Sequence, residues 1–309
     1  MKPLIIGTRG SELALAQARQ VQAALMVAQP EMEVVLKIIQ TRGDQRLDIR
    51  LQSTTPLDKG LFTKELEVAL AAGEIDLAVH SLKDLPTGLP EGFSLGAILA
   101  REDSADLLLC KNGRGEASTL HRVATSSPRR ALQLSTLFPE CTTEEIRGNV
   151  PTRLRKLLAN PELDGAVLAL AGLKRLGLCD AAGKWQEAAE EFFGLQIIRL
   201  KEMLPAPGQG AVAIEIRKED LYVENLLTSL HCSETADCVT AERALLQELG
   251  GGCHLALGAK ATVTAENEIR LEAVYFPEGT LERICRGQVR GSRTAPARLA
   301  EELKKQWDL

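Results

Sequence analysis

The sequence predicts an α/β protein built of two similar units and closed by a smaller α+β unit, and three features of its 309 residues carry that reading. First, short apolar runs break off abruptly into polar turns that open helices, as strands of a largely parallel sheet buried on both faces do. Second, Asp164-Gly-Ala-Val-Leu-Ala-Leu-Ala-Gly-Leu-Lys-Arg175 echoes Asp76-Leu-Ala-Val-His-Ser-Leu-Lys-Asp84, which implies one unit used twice, facing its copy. Third, from about Leu230 the pattern changes to a long helix, three strand-like runs and a terminal helix. A chain of this length holds two or three domains.

Leu4-Ile-Ile-Gly-Thr-Arg-Gly-Ser11 reads as a strand ending in a polar turn, and residues 11–29 as a helix stopped by Pro30. Backbone N–H groups and the positive end of the dipole make that helix start an anion site, where Arg9 can grip a carboxylate in bidentate fashion beside Ser11. A capped helix with an exposed arginine fits the same residues. Residues 33–39 read as a second strand. Residues 41–60 have no clear periodicity, carry Gly43, Pro56 and Gly60, and are long for a loop inside a compact domain, as lids are. Lys59-Gly60 then opens a helix over 61–72, leading to a strand over 75–79. His80, Ser81, Lys83 and Asp84 follow at the carboxyl end of that strand, before Pro86. Ligands of open α/β sheets gather at such ends. The plainer reading is a solvated turn with Ser81 as N-cap and with Lys83 and Asp84 as surface charges.

Runs at 94–99 and 106–110 carry the chain into the second unit. Arg122-Val-Ala-Thr-Ser-Ser127 repeats the device of strand, hydroxyl-rich turn and helix, with Pro128 at the position proline tolerates best. Arg129 and Arg130 stand in the first helical turn, where two cations oppose the dipole and require an anion nearby. Glu144-Glu-Ile-Arg-Gly-Asn-Val150 reads as another strand and turn, with Arg147 and Arg153 flanking a helix start beside Pro151. Leu204-Pro-Ala-Pro-Gly-Gln-Gly-Ala211 is a hinge opening a strand over 211–217, which is short enough to rejoin the earlier sheet. A helix over 234–249 ends at Gly250-Gly-Gly, followed by strand-like runs at 258–264, 267–276 and 281–289 and a helix from about 295. Cys253 follows the glycines. They either cap the helix beside an incidental cysteine, or hold an exposed thiol in a cleft ready for covalent attachment.

Composition narrows the function. With 45% apolar and 26% charged residues the chain is globular and soluble, and with 3% aromatic residues it has no platform for stacking bases. A net charge of −5 argues against a nucleic-acid partner, although cations can still gather in one cleft. No apolar run reaches membrane-spanning length, so the expected location is cytoplasmic. Seven cysteines, at 110, 141, 179, 232, 238, 253 and 285, make no disulfide framework and no C-x-x-C pair. His231-Cys232 and Cys253-His254 lack a second clustered pair, so no metal site is expected.

Taken together, Gly7-Thr-Arg-Gly-Ser11, Lys59-Gly-Leu-Phe-Thr-Lys-Glu-Leu-Glu67, Ala78-Val-His-Ser-Leu-Lys-Asp84, Thr125-Ser-Ser-Pro-Arg-Arg130, Arg147-Gly-Asn-Val-Pro-Thr-Arg153, Ala171-Gly-Leu-Lys-Arg-Leu-Gly177, Gly208-Gln-Gly-Ala211 and Gly251-Gly-Cys253 resemble the porphobilinogen deaminase (hydroxymethylbilane synthase) family over nearly the whole chain. The resemblance implies two α/β domains like those of periplasmic binding proteins and a small α+β C-terminal domain. The boundaries expected are 1–98 with 211–228 for the first domain, 99–210 for the second and 229–309 for the third. It further implies a transferase of porphyrin biosynthesis that joins four porphobilinogen molecules head to tail on a dipyrromethane cofactor, held by a thioether to Cys253, and releases hydroxymethylbilane and ammonia. Asp84 would be the catalytic group, a buried carboxylate. Arg9, Ser11, Lys59, Ser81, Lys83, Thr125, Ser126, Ser127, Arg129, Arg130, Arg147, Arg153 and Arg175 would bind the cofactor and growing chain. A monomer without a membrane or nucleic-acid partner is implied.

The chemistry of the residues agrees. Each pyrrole of the product carries an acetate and a propionate, so an acidic protein needs local arginines, whose planar forks stay charged and pair bidentately. The sequence departs from the family at Ser53 and Leu57-Asp58-Lys59, where a Gly-Gly-Lys-Gly turn is common, and at His254, where Gln is frequent. A twin-domain protein that merely captures a small anion would use the same fold and the same arginines, though it would need neither Cys253 nor Asp84.

Overall fold

Apolar runs of five or six residues become the central strands of two five-stranded sheets in the computed structural model, which describes residues 2–41, 63–114, 120–252 and 255–309. The first sheet holds β1 (Leu4–Thr8), β2 (Val34–Ile38), β3 (Leu77–Ser81), β4 (Phe93–Ile98) and β10 (Val212–Arg217), in the order β2-β1-β3-β10-β4. The second holds β5 (Asp106–Lys111), β6 (Arg122–Ala124), β7 (Thr142–Glu144), β8 (Gly165–Ala169) and β9 (Leu195–Arg199), in the order β7-β6-β8-β5-β9.

The connectivity is the same in both. β1 runs parallel to β2 and β3, as β6 does to β7 and β8, and one antiparallel strand separates this parallel part from the far edge. That strand is β10 in the first sheet and β5 in the second. Each is supplied by a crossing: after β4 the chain passes over at 99–105 to give β5, completes the second sheet, and returns at 200–211 to give β10. The crossings touch at Gly210, where φ is +89° and a Cβ would stand 2.4 Å from the Glu102 carbonyl oxygen, so no side chain fits.

Helices α1 (Glu12–Ala28) and α2 (Lys64–Ala71) flank the first sheet, and α3 (Pro128–Leu137), α4 (Val150–Ala159) and α5 (Leu170–Arg175) follow strands of the second. The short α6 (Leu221–Leu227) returns over the first core, where Val223 and Leu227 join Ile6, Leu77, Val79 and Ile214. In the third unit, α7 (Ser233–Glu248) and α8 (Arg298–Gln306) pack on the antiparallel sheet β11 (Leu257–Val263), β12 (Glu268–Tyr275) and β13 (Cys285–Ser292). This is the α/β plus α+β class expected.

Three strands lie elsewhere than the pattern predicts: β3 runs over Leu77–Ser81 and not 75–79, because His80 and Ser81 pair with Ala213 and Val212 of β10 and so belong to the strand. β7 ends at Glu144, because Ile146 to Asn149 form the turn before α4, and β13 begins at Cys285 and not at 281. β9 and α6 had no counterpart in the sequence reading, since runs this short give periodicity too little length to register.

Glu242 on α7 fastens the third unit to both crossings. Fully buried, it accepts hydrogen bonds from Arg101 Nη1 and Nη2 (2.6 and 3.0 Å), Gly208 N (2.7 Å) and Ala261 N (2.7 Å). A buried carboxylate needs such full pairing to offset its desolvation.

Candidate functional site

The first half of the site forms where β1 and β3 end side by side. Asp76 Oδ2 accepts the Ile5 N–H at 2.8 Å, which sets the two strands in register, and Ser11 caps α1 by accepting from Ala14 N at 3.3 Å. Arg9, Ser11, Gln17, His80, Ser81 and Asp84 then line one cavity of about 70 Å³. Gln17 Nε2 donates to Ser81 Oγ at 2.9 Å while the Ser81 hydroxyl donates to Gln17 Oε1 at 3.1 Å, so Ser81 is held by α1 and does not cap the turn that follows. His80 Nε2 lies 3.0 Å from Glu215 Oε2, both side chains being buried.

The 3₁₀ turn Leu82–Asp84 carries the next charges. Lys83 Nζ donates to Gln209 Oε1 at 3.3 Å. Burial, reinforced by Arg130, pulls the Lys83 ammonium down to about 8, against the upward pull of Asp84 and Asp106. Asp84 itself is exposed. The expectation of a buried carboxylate is therefore corrected: the turn points the residue away from the core while buried Leu82 and Leu85 on either side anchor it.

The second half gathers at the ends of β6 and β8. Asp106, fully buried at the start of β5, accepts from Arg129 Nη1 (2.6 Å), Arg130 Nε and Nη2 (3.1 and 2.7 Å) and Gln209 Nε2 (2.9 Å). Burial alone would raise the Asp106 pKa, yet the two guanidinium groups hold it well below the usual carboxylate range. The anion that two arginines at a helix start require is thus first of all this aspartate. Arg129 Nη1 also donates to the Leu204 carbonyl and Arg130 Nη1 to that of Val167.

The other expected residues divide into those facing the cleft and those tied into turns. Arg153 Nε donates to Gly148 O at 2.7 Å, and its guanidinium pKa is lowered by burial and by Arg130 but supported by Asp84, so the three charges lie within electrostatic reach across the two units. Arg175 Nη2 donates to Gly210 O at 2.6 Å, reaching from α5 to the returning crossing. Thr125 is buried at the end of β6, and its hydroxyl accepts from Ser127 N at 3.2 Å. Ser126 Oγ donates to Ile146 O at 2.7 Å and accepts from Ile146 N at 3.1 Å, which locks two loops together. Arg147 pairs with Glu145 at 2.9 Å and lines a separate groove with Lys156, apart from the cavity under Asp84. Lys59 and Cys253, with most of the 41–60 loop, lie outside the described residues.

Sequence reasoning passed over Gln17, Gln209 and Asp106, which do much of the positioning. Gln17 and Asp106 carried a usable signal, since each is a polar residue at an inward position of an otherwise apolar pattern.

The donor set suits a group rich in carboxylates. Arg129 Nε and Arg175 Nε are buried with no hydrogen-bond partner, while Arg129 Nη1 and Arg175 Nη2 are engaged, and such orphaned donors leave capacity for an added anion. Comparison with known proteins points the same way. Residues 4–225 match the family described as porphobilinogen deaminase, dipyromethane cofactor binding domain, and residues 236–306 match porphobilinogen deaminase, C-terminal domain. The porphobilinogen deaminase of Roseiflexus sp. (strain RS-1) is 42% identical, with 97% of this chain and 95% of that protein covered. That of Desulforamulus reducens is 42% identical over 88% and 83%, and that of Thermus thermophilus 39% over 98% and 94%. Among solved structures, the periplasmic aliphatic sulphonate binding protein SsuA from Escherichia coli overlaps with a TM-score of 0.40 at 13% identity, covering 81% of this chain and 71% of that one. With both halves of the family matched in order along the sequence, this chain belongs to the porphobilinogen deaminase family.

Proposed function

We propose that this chain joins four porphobilinogen molecules head to tail on a dipyrromethane held through a thioether at Cys253, releasing hydroxymethylbilane and ammonia, and that Asp84 is its catalytic carboxylate. The observation that carries this reading is that Asp84 lines one cavity with Arg9 and Ser11, beside Lys83 and within electrostatic reach of Arg153 from the other unit. When bound, the dipyrromethane supplies the free pyrrole carbon to which the first substrate is joined. Lys59, Ser81, Thr125, Ser126, Ser127, Arg129, Arg147 and Arg175 complete the set that would bind acetates and propionates, Arg129 and Arg175 through their orphaned Nε donors and Arg147 from its own groove.

In each round the carbon–nitrogen bond of a protonated aminomethyl group breaks, ammonia leaves with the electron pair, and a cationic methylene-pyrrole remains. The Asp84 carboxylate, within electrostatic reach of Lys83 and Arg153, stabilises that cation. The next pyrrole carbon attacks, a carbon–carbon bond forms, and the proton displaced from that carbon passes to Asp84 as general base. Asp84 can return it to the next departing amine.

The three separate sheets support the domain division 1–98 with 211–228, 99–210 and 229–309. Among the described residues no helix is long and apolar enough to cross a membrane, and we place the enzyme in the cytoplasm as a monomer. Intact mass tests the core of the reading. The purified chain should weigh one dipyrromethane more than its sequence, Cys253→Ala should not, and added porphobilinogen should give a ladder of species spaced by one pyrrole unit. An unmodified yet active wild type overturns the proposal.

A further inference from the structure

The turn that carries Asp84 is held from outside its own unit. Along one face of α7, Val239 packs with Leu82 and Leu85 in a shared apolar cluster. One helical turn further on, Arg243 donates through Nη1 to Leu82 O and Leu85 O (3.3 and 3.1 Å) and through Nη2 to Pro86 O (2.6 Å). These carbonyls bracket Lys83 and Asp84. The turn's own bond from Leu85 N ends on Leu82 O at 3.2 Å, and the rigid guanidinium fork adds a second donor to that oxygen and supplies donors to Leu85 O and Pro86 O. The same helix leads, about two turns beyond Arg243, into Gly250 and Gly251, and a Cβ on Gly251 would stand 3.2 Å from Thr87 Oγ1. The loop just before Cys253 therefore lies against the segment that follows Asp84.

We propose that Arg243 is a positioning residue for Asp84: it fixes the backbone of the 82–86 turn, and so the carboxylate, relative to the helix whose C-terminal loop leads into Cys253. The inference rests on the reading of Asp84 as the catalytic carboxylate. Because the bonds go to backbone oxygens, the effect travels through the geometry of the turn. A merely structural arginine would affect stability and leave the reaction of folded protein unchanged.

The test uses the full chain with Arg243→Met, Arg243→Lys, Asp84→Asn and the double variant Arg243→Met with Asp84→Asn. In a Cys253→Ala background, which takes cofactor loading out of the comparison, amide hydrogen exchange over 82–87 should accelerate about tenfold or more in Arg243→Met while α1 is unchanged. In protein whose mass shows full loading, Arg243→Met should lower kcat by about 10²-fold with KM nearly constant, the size of loss that a displacement near 1 Å produces. Arg243→Lys should recover part of the rate, and it replaces Arg243→Met throughout if that variant does not fold. In the Asp84→Asn background, adding Arg243→Met should cost no more than about threefold, since the group being positioned is already lost. Wild-type exchange and kcat in Arg243→Met, or losses that multiply in the double variant while Asp84→Asn alone is slow, overturn the inference and leave the catalytic reading standing. An Asp84→Asn enzyme as fast as wild type overturns both.

Discussion

In the first sheet β3 runs from Asp76 through His80 and Ser81 into Lys83 and Asp84, while in the second β8 runs from Asp164 through Leu168 and Ala169 into α5 and Arg175. The two aspartates hold equivalent places. Ile6 pairs with Leu77 as Val123 pairs with Gly165, and Asp76 accepts the Ile5 N–H just as Asp164 accepts those of His121 and Arg122. With the strands so aligned, the second Leu-Lys pair lies three residues further on, about one helical turn, because the chain after β8 winds into α5 where the chain after β3 makes only a 3₁₀ turn. The buried charges differ as well. The first sheet encloses His80 against Glu215, whose other carboxylate oxygen is buried without a hydrogen-bond partner, whereas the second places Asp106 at the mouth of β5, where it draws in Arg129 and Arg130. One frame thus ends in a carboxylate set among cations, Asp84 with Arg9 and Lys83, and its copy in arginines, and the difference lies in a few residues at strand ends.

Substitutions at those ends test the contrast, beginning with the largest effect. Asp84→Asn should keep the fold and the attached cofactor mass while kcat falls by about 10²–10⁴-fold, the usual contribution of a general acid–base group. Asp84→Glu should lose less, and a turnover near wild type in mass-verified Asp84→Asn would return Asp84 to the status of a surface charge on a turn.

On the opposite side, Asp106→Asn should act on stability first. It strips the charge that Arg129 and Arg130 share, and breaking a buried pair of this kind costs about 3–5 kcal/mol in denaturant unfolding. The pH dependence follows from the direction of the shift. With its folded pKa below the ordinary 3.8, Asp106 contributes stability that is complete above that value and is lost only as pH falls through the depressed folded pKa, so the arginine cluster should outlast most carboxylate contacts in acid. If Asp106→Asn proves as stable as wild type, the second unit does not depend on this pairing.

The equivalence of Asp76 and Asp164 predicts a smaller, graded loss. Asp164→Ala removes two backbone donors' acceptor and Asp76→Ala one, so the first should cost about 1–3 kcal/mol and the second less, with kcat of folded protein unchanged in both. The reverse ranking would show that the two strand pairs are not held alike.

The smallest effect expected is at Lys83. Its folded pKa near 8 lies below the ordinary 10.5, so the unfolded chain binds more protons between those values and stability rises with pH across that window. The same deprotonation removes a cation from the cleft above pH 8 or so. KM for porphobilinogen should therefore rise a few-fold on the alkaline side in wild type and stay flatter in Lys83→Arg, because arginine keeps its charge there. Parallel KM profiles in the two proteins would exclude Lys83 as the titrating group.

The sequence alone determined most of the order of elements, though not β9 or α6, and it marked the polar ends of the strands. Abrupt ends of apolar runs marked Arg9, Ser11, His80 to Asp84 and Thr125 to Arg130, because burial on both faces of a strand and the loss of that burial at its end are local facts written in consecutive residues. The echo of Asp76 in Asp164 was legible for the same reason. Only the tertiary structure decided which segments meet. β5 and β10 are equally apolar runs, and nothing in their pattern says that each is lent to a sheet begun elsewhere. Glu215 finds His80, Asp106 finds Arg129 and Arg130, and Arg243 finds the turn of Asp84 across long stretches of chain. Asp84 also stands exposed where a buried carboxylate was expected. The physical reason is that periodicity reports whether a residue is buried, while the partner of a buried charge, and the solvent exposure of a residue on a turn, depend on contacts made by distant parts of the chain.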